Sequence, residues 1–456
     1  MLQESFRRRW LLPVLLGALL LASCSKSVPE RPNVILVLVD TLRADHLGIY
    51  GYARDTSRNV DAFARRSVRF ASSRSQASCT FPSAHSILTS RSPVRFLGQR
   101  GKAMGIPAEI PSIAEILQKN GYRTTAISTS PVVRNTPHRV NPTGGFGRGF
   151  DAFEEKCLWR PASCVNAMAL KSLRKEDERP FFLYLHYLDP HAPYRPPRNE
   201  VRHFRFARPG ASEKRFIRRG EPAPLLEGTQ NGEPVVEVAT ADLQHLIDLY
   251  DEEIAYFDRR FGELLAKIRE AGLLNDTILV FTSDHGEDFL EHGYLSHCRT
   301  LFDTSIRTPL IIHVPGVEPR VVNAPVRNLD IVPTLLDYAG IDTAGLELEG
   351  RSLRALIEGR EDGEPRWQFA SQVVFRSISD NRFKLIHDLK GGEFWLYDIA
   401  ADPKETRNVL ARERRSFHSL RGSLEDWLAR TEGEAGESLR KSEEAEARLR
   451  ALGYLQ

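Results

Sequence analysis

Asn33–Val39 has the sequence NVILVLV, a continuous apolar run rich in β-branched residues that ends at Asp40. Such a run is typical of a strand buried on both faces of a parallel sheet. Similar runs recur along the chain at Thr124–Ser128, Phe181–His186 (FFLYLH), Thr277–Thr282 (TILVFT) and Pro309–Val314. We therefore predict that Asn33–Val39 is one strand of a large, mainly parallel sheet.

Helical patterns separate these predicted strands. One helix is expected near Val60–Arg66, and Ser112 and Glu115 have the spacing of a capping box that begins another. Leu243–Glu270 shows the periodicity of a long amphipathic helix. Strands that alternate with helices predict an α/β fold, with a large mixed, mainly parallel sheet sandwiched by helices.

Three chemically useful side chains come at the predicted strand ends. Asp40, His186 and Asp284 each occupy such a position, and His285 follows Asp284 directly. In open α/β sheets, ligands bind beyond the carboxyl ends of the strands. This placement predicts an active site at that edge of the sheet.

A hydroxyl-bearing segment, Gln76–Ser90 (QASCTFPSAHSILTS), is the candidate source of the nucleophile. Pro82 suits the first position of a helix, which would place Thr80 just ahead of the helix N-terminus. Free N–H groups and the helix dipole favour an anionic oxygen there. Thr80 could then attack a phosphate or sulfate ester; the alternative is an ordinary Ser/Thr-rich helix entry.

The same residues could hold one divalent metal ion. Asp40, Asp284, His285 and Thr80 offer two carboxylates, an imidazole and a hydroxyl. Carboxylates suit Mn²⁺, Zn²⁺ or Ca²⁺, and the imidazole favours Mn²⁺ or Zn²⁺ over Ca²⁺. Such an ion would lower the pKa of a neighbouring hydroxyl and neutralise the charge of an ester.

The beginning of the chain resembles an export signal. Residues 1–23 combine Arg7, Arg8 and Arg9 with the apolar run Trp10–Leu21, and Leu-Ala-Ser precedes Cys24 as in a bacterial lipobox. We expect lipidation at Cys24, attachment to a membrane and a place in the bacterial cell envelope, in the periplasm or at the outer membrane. A plain signal peptide or an anchor helix is the alternative.

Composition and local patterns suggest the remaining organisation. With 63 Lys+Arg against 60 Asp+Glu, the chain has no charge signature of a nucleic-acid binder.

We predict a linker at 24–32, a catalytic domain at 33–365, a small antiparallel-sheet subdomain at 366–410 and a helical tail at 411–456. Within the catalytic domain, the Pro-, Arg- and Gly-rich stretch 194–236 is expected to be a long irregular insertion. In the subdomain, strands are expected at Phe369–Phe375, Phe383–His387 and Phe394–Tyr397.

The cysteines gain meaning in an exported chain. Cys157 and Cys164 lie close enough in sequence for a local disulfide. Cys79 and Cys298 could form a second bridge, or both could be buried thiols.

The chain resembles the sulfatase family, within the alkaline phosphatase superfamily, over residues 31–410. The motifs that carry the resemblance are RPNVILVLVDTLRADHLGIYGY, TFPSAHSILTS, FFLYLHYLDPHAPY, TSDHGEDFLEHG, IRTPLIIHVPG, APVRNLDIVPTLLDYAGI, EGRSL and LYDIAADPKETRNV. The resemblance implies an alkaline-phosphatase-like fold, metal ligands at Asp40, Asp284 and His285, and Thr80 at the nucleophile position. It also implies substrate-binding or acid–base roles for His191 and His297, to which we add His186. Since Cys79 and Cys298 adjoin Thr80 and His297, a bridge between them would lie at the rim of the pocket.

Several positions depart from the family pattern. Sulfatases carry a Cys or Ser, oxidised to formylglycine, where this chain has Thr80, and an Arg where it has Ala84. Thr41 replaces the second Asp of a frequent Asp-Asp pair, and Ser128-Thr129-Ser130 replaces a Lys- and His-bearing segment. Thr nucleophiles occur in related phosphodiesterases and in phosphoethanolamine and phosphoglycerol transferases.

Together these observations predict a metal-dependent hydrolase that cleaves a phosphate or sulfate ester through Thr80, with a phosphoester favoured. The substrate would be an anionic ester of a glycan, a lipid headgroup or a small molecule. Two alternatives remain: a true sulfuric ester hydrolase acting on sulfated glycans, and a catalytically inactive member that binds an anionic ligand.

Overall fold

The computed structural model describes residues 29–94, 105–174, 177–197, 229–230, 233–234, 238–360 and 366–432. The strands are β1 Asn33–Val39, β2 Val68–Phe70, β3 Ser73–Arg74, β4 Arg123–Ser128, β5 Ala152–Glu154, β6 Phe181–Tyr187, β7 Thr229–Gln230, β8 Glu233–Pro234, β9 Thr277–Ser283, β10 Asp288–Phe289, β11 Leu295–Ser296, β12 Leu310–His313, β13 Arg320–Val322, β14 Val326–Arg327, β15 Gln368–Gln372, β16 Phe375–Ser379, β17 Phe383–Asp388 and β18 Phe394–Asp398. The α-helices are α1 Arg58–Ala64, α2 Thr80–Thr89, α3 Ile113–Lys119, α4 Ala162–Leu173, α5 Thr240–Glu270, α6 Asp303–Ile306, α7 Ile331–Tyr338, α8 Arg354–Ile357 and α9 Arg414–Glu432.

Eight strands form the main sheet, in the order β13-β2-β12-β9-β1-β6-β4-β5. The five strands from β9 to β5 run parallel, and β12 pairs antiparallel with both β9 and β2. The predicted fold class, a mixed and mainly parallel sheet, is confirmed.

Two hydrophobic cores cover the faces of this sheet, because alternate residues of β1 point to opposite sides. Val34, Leu36 and Leu38 pack in one core with residues of α2, α3 and α7. Ile35, Val37 and Val39 pack in the other core with residues of α1, α4 and α5. The continuous apolar run of β1 is therefore required, since both faces of the strand are buried.

The register of β1 fixes where its last residues lie. Val39 pairs with Tyr187 of β6 on one side and with Ser283 of β9 on the other. Asp40 and Asp284, the next residues of their strands, consequently leave the sheet side by side. The backbone N–H of Asp40 continues the ladder and donates to the carbonyl oxygen of Tyr187 at 2.9 Å.

A second, four-stranded antiparallel sheet has the order β15-β16-β17-β18, which confirms the predicted small C-terminal sheet. The strand predicted at Phe369–Phe375 is wrong in detail, because a turn at Val373-Val374 divides it between β15 and β16. Two β-branched residues carry no turn signal, so the sequence pattern conceals this hairpin. Helix α9 packs on the sheet, where the rings of Trp427 and Phe369 stack with centroids 4.7 Å apart.

A buried ion cluster joins this sheet to the main domain. Asp303 accepts two hydrogen bonds from Arg74, at 2.8 and 2.6 Å, and a third from Lys384 of β17 at 2.7 Å. Lys384 also pairs with Glu405 at 2.8 Å, and its side chain is fully buried. Burial alone would raise the pKa of Asp303, but the positive charges of Arg74 and Lys384 outweigh this effect and hold it well below its ordinary value.

Several sequence predictions lie outside the described residues. They are the export signal at 1–23 with Cys24, most of the insertion at 194–236, and the tail beyond residue 432. Among the residues that the structure does describe, no helix combines the length and the apolar character needed to cross a membrane.

The ion cluster generates a prediction about stability. Replacing Lys384 by Met removes a buried positive charge and leaves Asp303 and Glu405 facing each other with Arg74 as their nearby counter-charge. Breaking a buried pair in this way costs about 3–5 kcal/mol, so urea denaturation should show that loss for Lys384→Met. Lys390→Met, at an exposed turn of the same sheet, is the control and should stay within about 0.5 kcal/mol of the parent. Equal stability of the two variants would contradict this account.

Candidate active site

The predicted metal ligands converge at the carboxyl edge of the main sheet. Asp40, Asp284 and His285 are buried, and each offers a ligand atom within 4.8 Å of the others. The backbone N–H groups of Thr41 and His285 donate to Oδ1 of Asp284 at 3.1 and 2.9 Å, which fixes the orientation of that carboxylate. The other oxygen, Oδ2, accepts no hydrogen bond from the described residues.

Thr80 reaches this cluster from the first turn of α2. Its Oγ1 lies 3.2 Å from Nε2 of His285 and 3.4 Å from Oδ1 of Asp40. The helix begins at Thr80 itself, after Cys79, so the prediction that Pro82 is the first helical residue is wrong. Proline is tolerated here too, because the first N–H groups of a helix have no intrahelical acceptor. Ser83, the residue after Pro82, does make an intrahelical hydrogen bond: its N–H donates to the carbonyl of Cys79 at 3.1 Å.

The hydrogen bonds of His285 determine its tautomer. Its Nδ1 lies 2.8 Å from the carbonyl oxygen of Gly286, which can only accept, so Nδ1 carries the proton. Nε2 is then a lone-pair donor that faces Thr80 and lies 3.4 Å from Oδ2 of Asp284. A backbone acceptor behind a histidine is the usual way in which proteins orient a metal-binding imidazole.

These atoms fit a divalent cation. Nε2 of His285 lies 3.4 Å from Oδ2 of Asp284 and 3.9 Å from Oδ1 of Asp40, so three atoms with lone pairs lie close together. Two carboxylates, an imidazole and a hydroxyl form a donor set suited to Mn²⁺ or Zn²⁺. Sulfatases typically bind a divalent metal, and the Asp-Asp-His cluster is the candidate site in this chain.

The electrostatics of the two carboxylates support the same reading. Burial would raise the pKa of Asp40, but the charge of His191 and the hydrogen bond with His186 outweigh it and hold the pKa well below its ordinary value. Burial and the negative charge of Asp40 raise the pKa of Asp284. Two adjacent buried carboxylates therefore resist double ionisation, and a bound cation would relieve that repulsion.

His186 lies behind Asp40 and is fully buried. Its Nε2 is 3.3 Å from Oδ2 of Asp40, and its Nδ1 is 3.0 Å from the hydroxyl of Tyr184. Both ring nitrogens are therefore engaged by protein atoms. This geometry makes His186 a residue that positions Asp40, and a direct catalytic role for it stays a prediction.

His191 and His297 line the open side of the cluster. The ring centroids of His297 and His285 are 4.8 Å apart, and those of His297 and His191 are 5.0 Å apart. Nδ1 of His297 lies 3.1 Å from Oε1 of the buried Glu287, so Nε2 is left to face a ligand. Burial alone would raise the pKa of Glu287, but the charge of His297 and this hydrogen bond outweigh it and lower the pKa.

Glu287 is a site residue that our sequence reasoning missed. It stands two residues after His285 in the TSDHGEDFLEHG motif, so its position offered a signal. Nothing in the sequence, however, indicates that its carboxylate turns toward a histidine ten residues further on. That pairing depends on the chain reversal between β10 and β11.

Both predicted disulfides are present. Cys79 and Cys298 are bonded, with their Cα atoms 4.7 Å apart, and Cys157 and Cys164 form the local bridge. The backbone N–H of Cys298 also donates to the carbonyl of Ser78 at 2.8 Å. The first bridge joins the residue before Thr80 to the residue after His297, and so ties the two sides of the site together.

The positions that depart from the family pattern have structural roles. Thr41 has a positive φ of 56°, which is unusual for a β-branched residue, and it forms the turn after Asp40. Ala84 is fully buried. His85 contacts the rings of Phe81 and Phe146, with centroids 4.6 and 4.8 Å away, and this packing places it in the hydrophobic interior.

Comparison with protein families assigns the chain. The fold and the cluster of polar groups at the sheet edge are those of an ester hydrolase. The family model described as Sulfatase matches residues 32–341, and one described as N-sulphoglucosamine sulphohydrolase, C-terminal, matches residues 290–433. The chain belongs to the sulfatase family.

Curated relatives cover most of this chain. Human N-sulphoglucosamine sulphohydrolase is 28% identical over an alignment 498 positions long, which covers 89% of this chain and 90% of that protein. An arylsulfatase from Clostridium perfringens is 25% identical over an alignment 451 positions long, which covers 84% of this chain and 91% of that protein.

Solved structures share the fold. One is a protein in complex with its substrate D-glucosamine-2-N,6-O-disulfate, with a TM-score of 0.70, 20% identity and coverage of 91% of this chain and 99% of the other. Another is the phosphonate monoester hydrolase of Agrobacterium radiobacter, with a TM-score of 0.66, 22% identity and coverage of 89% and 96%.

The ligand cluster generates a prediction about metal content. Asp284→Ala removes one carboxylate, so purified protein should lose its bound divalent metal and its activity while the sheet stays folded. Elemental analysis and circular dichroism of the same sample test this expectation. Asp342→Ala, at an exposed loop position, is the matched control and should keep both. Unchanged metal content in Asp284→Ala would refute the ligand assignment.

Proposed function

We propose that the protein is a metal-dependent hydrolase of phosphate esters in which Thr80 is the nucleophile and occupies the position of formylglycine in sulfatases. The observation that carries the proposal is the placement of Thr80. Its hydroxyl lies at the N-terminus of α2, within 3.2 Å of His285 and 3.4 Å of Asp40, beside the candidate cation site. Asp40, Asp284, His285 and Thr80 would hold one Mn²⁺ or Zn²⁺.

In the proposed mechanism, Thr80 is the nucleophile and His297 is the general acid. Oγ1 of Thr80 releases its proton to water and forms a bond to phosphorus as the bond to the leaving oxygen breaks. His297, held by Glu287, carries a proton on Nε2 for the leaving oxygen, and His191 lies beside it. Water then gives a proton to Nε2 of His297 as it attacks phosphorus, the bond to Oγ1 breaks, and Oγ1 regains a proton from water, which restores both residues. A bound divalent cation would supply charge neutralisation and lower the pKa of the hydroxyl.

The disulfide supports a threonine nucleophile. Formylglycine is made by oxidation of a Cys or Ser, and the cysteine nearest to the required position is Cys79. Its sulfur is bonded to Cys298, so it is not a free thiol that could be oxidised to the aldehyde. Threonine has a secondary alcohol, and its hydroxyl serves directly as a nucleophile toward phosphorus.

A second function, sulfuric ester hydrolysis, is supported by the family itself. The related human protein is named as a sulphohydrolase, and one structural neighbour binds a disulfated glucosamine as its substrate. Another neighbour is a phosphonate monoester hydrolase, so the same fold also hosts chemistry at phosphorus. An inactive, ligand-binding role is less well supported, because the complete Asp-Asp-His-Thr set converges.

Substitutions at Thr80 test the nucleophile. Thr80→Ala should abolish turnover, lowering it by at least about a thousandfold, while most of the metal remains because three ligands survive. Thr80→Ser keeps a hydroxyl and should retain measurable activity. The measurement is initial rate with aryl phosphate, phosphodiester, phosphonate and aryl sulfate, supplied with Mn²⁺, Zn²⁺ or Ca²⁺ in turn.

The outcomes of this screen separate the hypotheses. Full activity in Thr80→Ala would exclude Thr80 as the nucleophile. A preference for aryl sulfate, together with an aldehyde mass in the tryptic peptide that contains Cys79 and Thr80, would favour the sulfuric ester hydrolase. Thr89→Ser, at a buried threonine at the other end of α2, is the control for conservative substitution and should leave the rates unchanged.

We also propose that the protein is exported and anchored by lipid at Cys24. Two disulfides within the described residues are consistent with an oxidising compartment. In a bacterial host, Cys24→Ala should prevent lipid attachment, which metabolic labelling with a fatty-acid analogue would show. Cys157→Ala keeps Cys24 and should be labelled normally; labelling of Cys24→Ala itself would contradict the assignment.

A further inference from the structure

A cavity of about 410 Å³ opens next to the candidate active site, on the side of His191. Its walls come from three parts of the chain: the loop before α4, the segment after β6, and α5. The residues that matter below are Trp159, Arg160, Asp189, His191, Arg195 and Glu253. The catalytic scheme above uses only His191 from this set.

Trp159 presents an unusually exposed aromatic face to the cavity. Its exposed fraction is 51%, although large aromatic residues are normally buried. Its φ of 56° is unfavourable for a bulky residue, and such strain persists only where the surroundings enforce it. Two contacts hold the backbone of Trp159 in this conformation. Its backbone N–H donates to the carbonyl of Thr129 at 3.2 Å, and the Cys157–Cys164 disulfide closes the loop that contains it. The backbone of this loop is therefore fixed, and it presents an exposed indole on which a ring can stack.

Two buried carboxyl groups form the floor of the cavity and join its walls. Asp189 and Glu253 are hydrogen-bonded to each other. Asp189 accepts from the N–H of Ala162, the first residue of α4, at 2.9 Å, and Glu253 accepts from the N–H of Arg195 at 2.5 Å. The start of α4, the segment after β6 and α5 are thereby tied together.

The charge of the cavity is positive at its rim. Burial raises the pKa of Asp189 to about 6 and raises that of Glu253 well above its ordinary value, so the pair does not hold two negative charges near neutrality. Two positively charged residues, Arg160 and Arg195, belong to the same lining, and Arg160 is exposed. A positive rim favours an anionic ligand and disfavours a quaternary ammonium group, which would otherwise suit an exposed tryptophan.

Under the proposed function, the cavity lies on the leaving-group side of the site. Thr80 approaches the candidate cation site from α2, whereas His297 and His191 extend away from His285, with successive ring centroids 4.8 and 5.0 Å apart. An ester whose leaving oxygen meets His297 would direct the remainder of its leaving group past His191. That path leads into the cavity.

We propose that this cavity binds the leaving group of the substrate as a sugar-like ring that stacks on Trp159 and carries a second anionic group bound by Arg160. The proposal deepens the proposed function and rests on it. It assigns selectivity to a disulfide-closed loop that plays no part in the chemical step.

Binding can be tested separately from turnover. We would use metal-loaded Thr80→Ala protein and titrate it calorimetrically with glycerol 3-phosphate, glucose 6-phosphate and glucose 1,6-bisphosphate, and with the corresponding sulfates. The glycerol ester lacks a ring, the second probe adds one, and the third adds a second anion. Affinity should rise along this series, and ring binding should change the fluorescence of Trp159.

Two further substitutions in that background identify the contacts. Trp159→Ala should weaken both ring probes by about tenfold, through loss of stacking, and affect the glycerol ester much less. Arg160→Gln should remove only the extra affinity for the doubly anionic probe, while Trp159→Phe should restore part of the ring effect. Leu389→Ala, which removes an exposed apolar side chain from the distant C-terminal sheet, is the control and should bind as the parent does.

The outcomes are decisive in either direction. Equal affinity for the glycerol and glucose esters, or equal losses for all probes in Trp159→Ala, would overturn the proposal. Ring-dependent binding combined with no turnover of any ester by the parent enzyme would support the subsite and refute the proposed function. Turnover of a phosphoester without ring-dependent binding would support the proposed function and refute the subsite.

Discussion

The structure depends on one electrostatic constraint: two carboxylates, Asp40 and Asp284, are buried side by side at the ends of adjacent parallel strands. The strand register places them there, and burial makes their repulsion costly. The surrounding groups offset this cost in an ordered way. Backbone N–H groups fix Asp284, His186 fixes Asp40, and the remaining ligand atoms lie with Nε2 of His285 around the candidate cation site.

The C-terminal sheet completes the site although it contributes no proposed ligand. The N–H of Ser371 in β15 donates to the carbonyl of Gln76 at 2.8 Å, and the side chain of Gln372 donates to the carbonyl of Cys298. One strand thus supports both chain segments that the Cys79–Cys298 disulfide joins. Since small displacements of reacting groups slow chemistry strongly, the buried Lys384 cluster that holds this sheet also bears on catalysis.

Sequence reasoning predicted the parts of the molecule that are encoded locally. The apolar run of β1, the strand-end positions of Asp40 and Asp284, and the capping box at Ser112 all follow from short-range patterns. It failed where distant segments decide the outcome. The pairing of Glu287 with His297 depends on a chain reversal, and the exposed ring of Trp159 lies on a disulfide-closed loop, so neither follows from a local pattern.

The departures from the sulfatase pattern form a consistent chemical set under the proposed function. Thr80 supplies a neutral hydroxyl that must lose a proton to attack phosphorus, so it needs a stronger Lewis acid than an aldehyde hydrate does. Replacing an Asp by Thr41 removes one carboxylate, so the neutral nitrogen of His285 makes up a larger share of the donor set, which favours Mn²⁺ or Zn²⁺. Cys79, one residue from the nucleophile, forms a disulfide with Cys298, so its sulfur constrains the loop and is not available for oxidation to an aldehyde. The nucleophile, the ligand set and the disulfide therefore favour the same chemistry, in which the protein positions an unmodified side chain beside a more acidic metal.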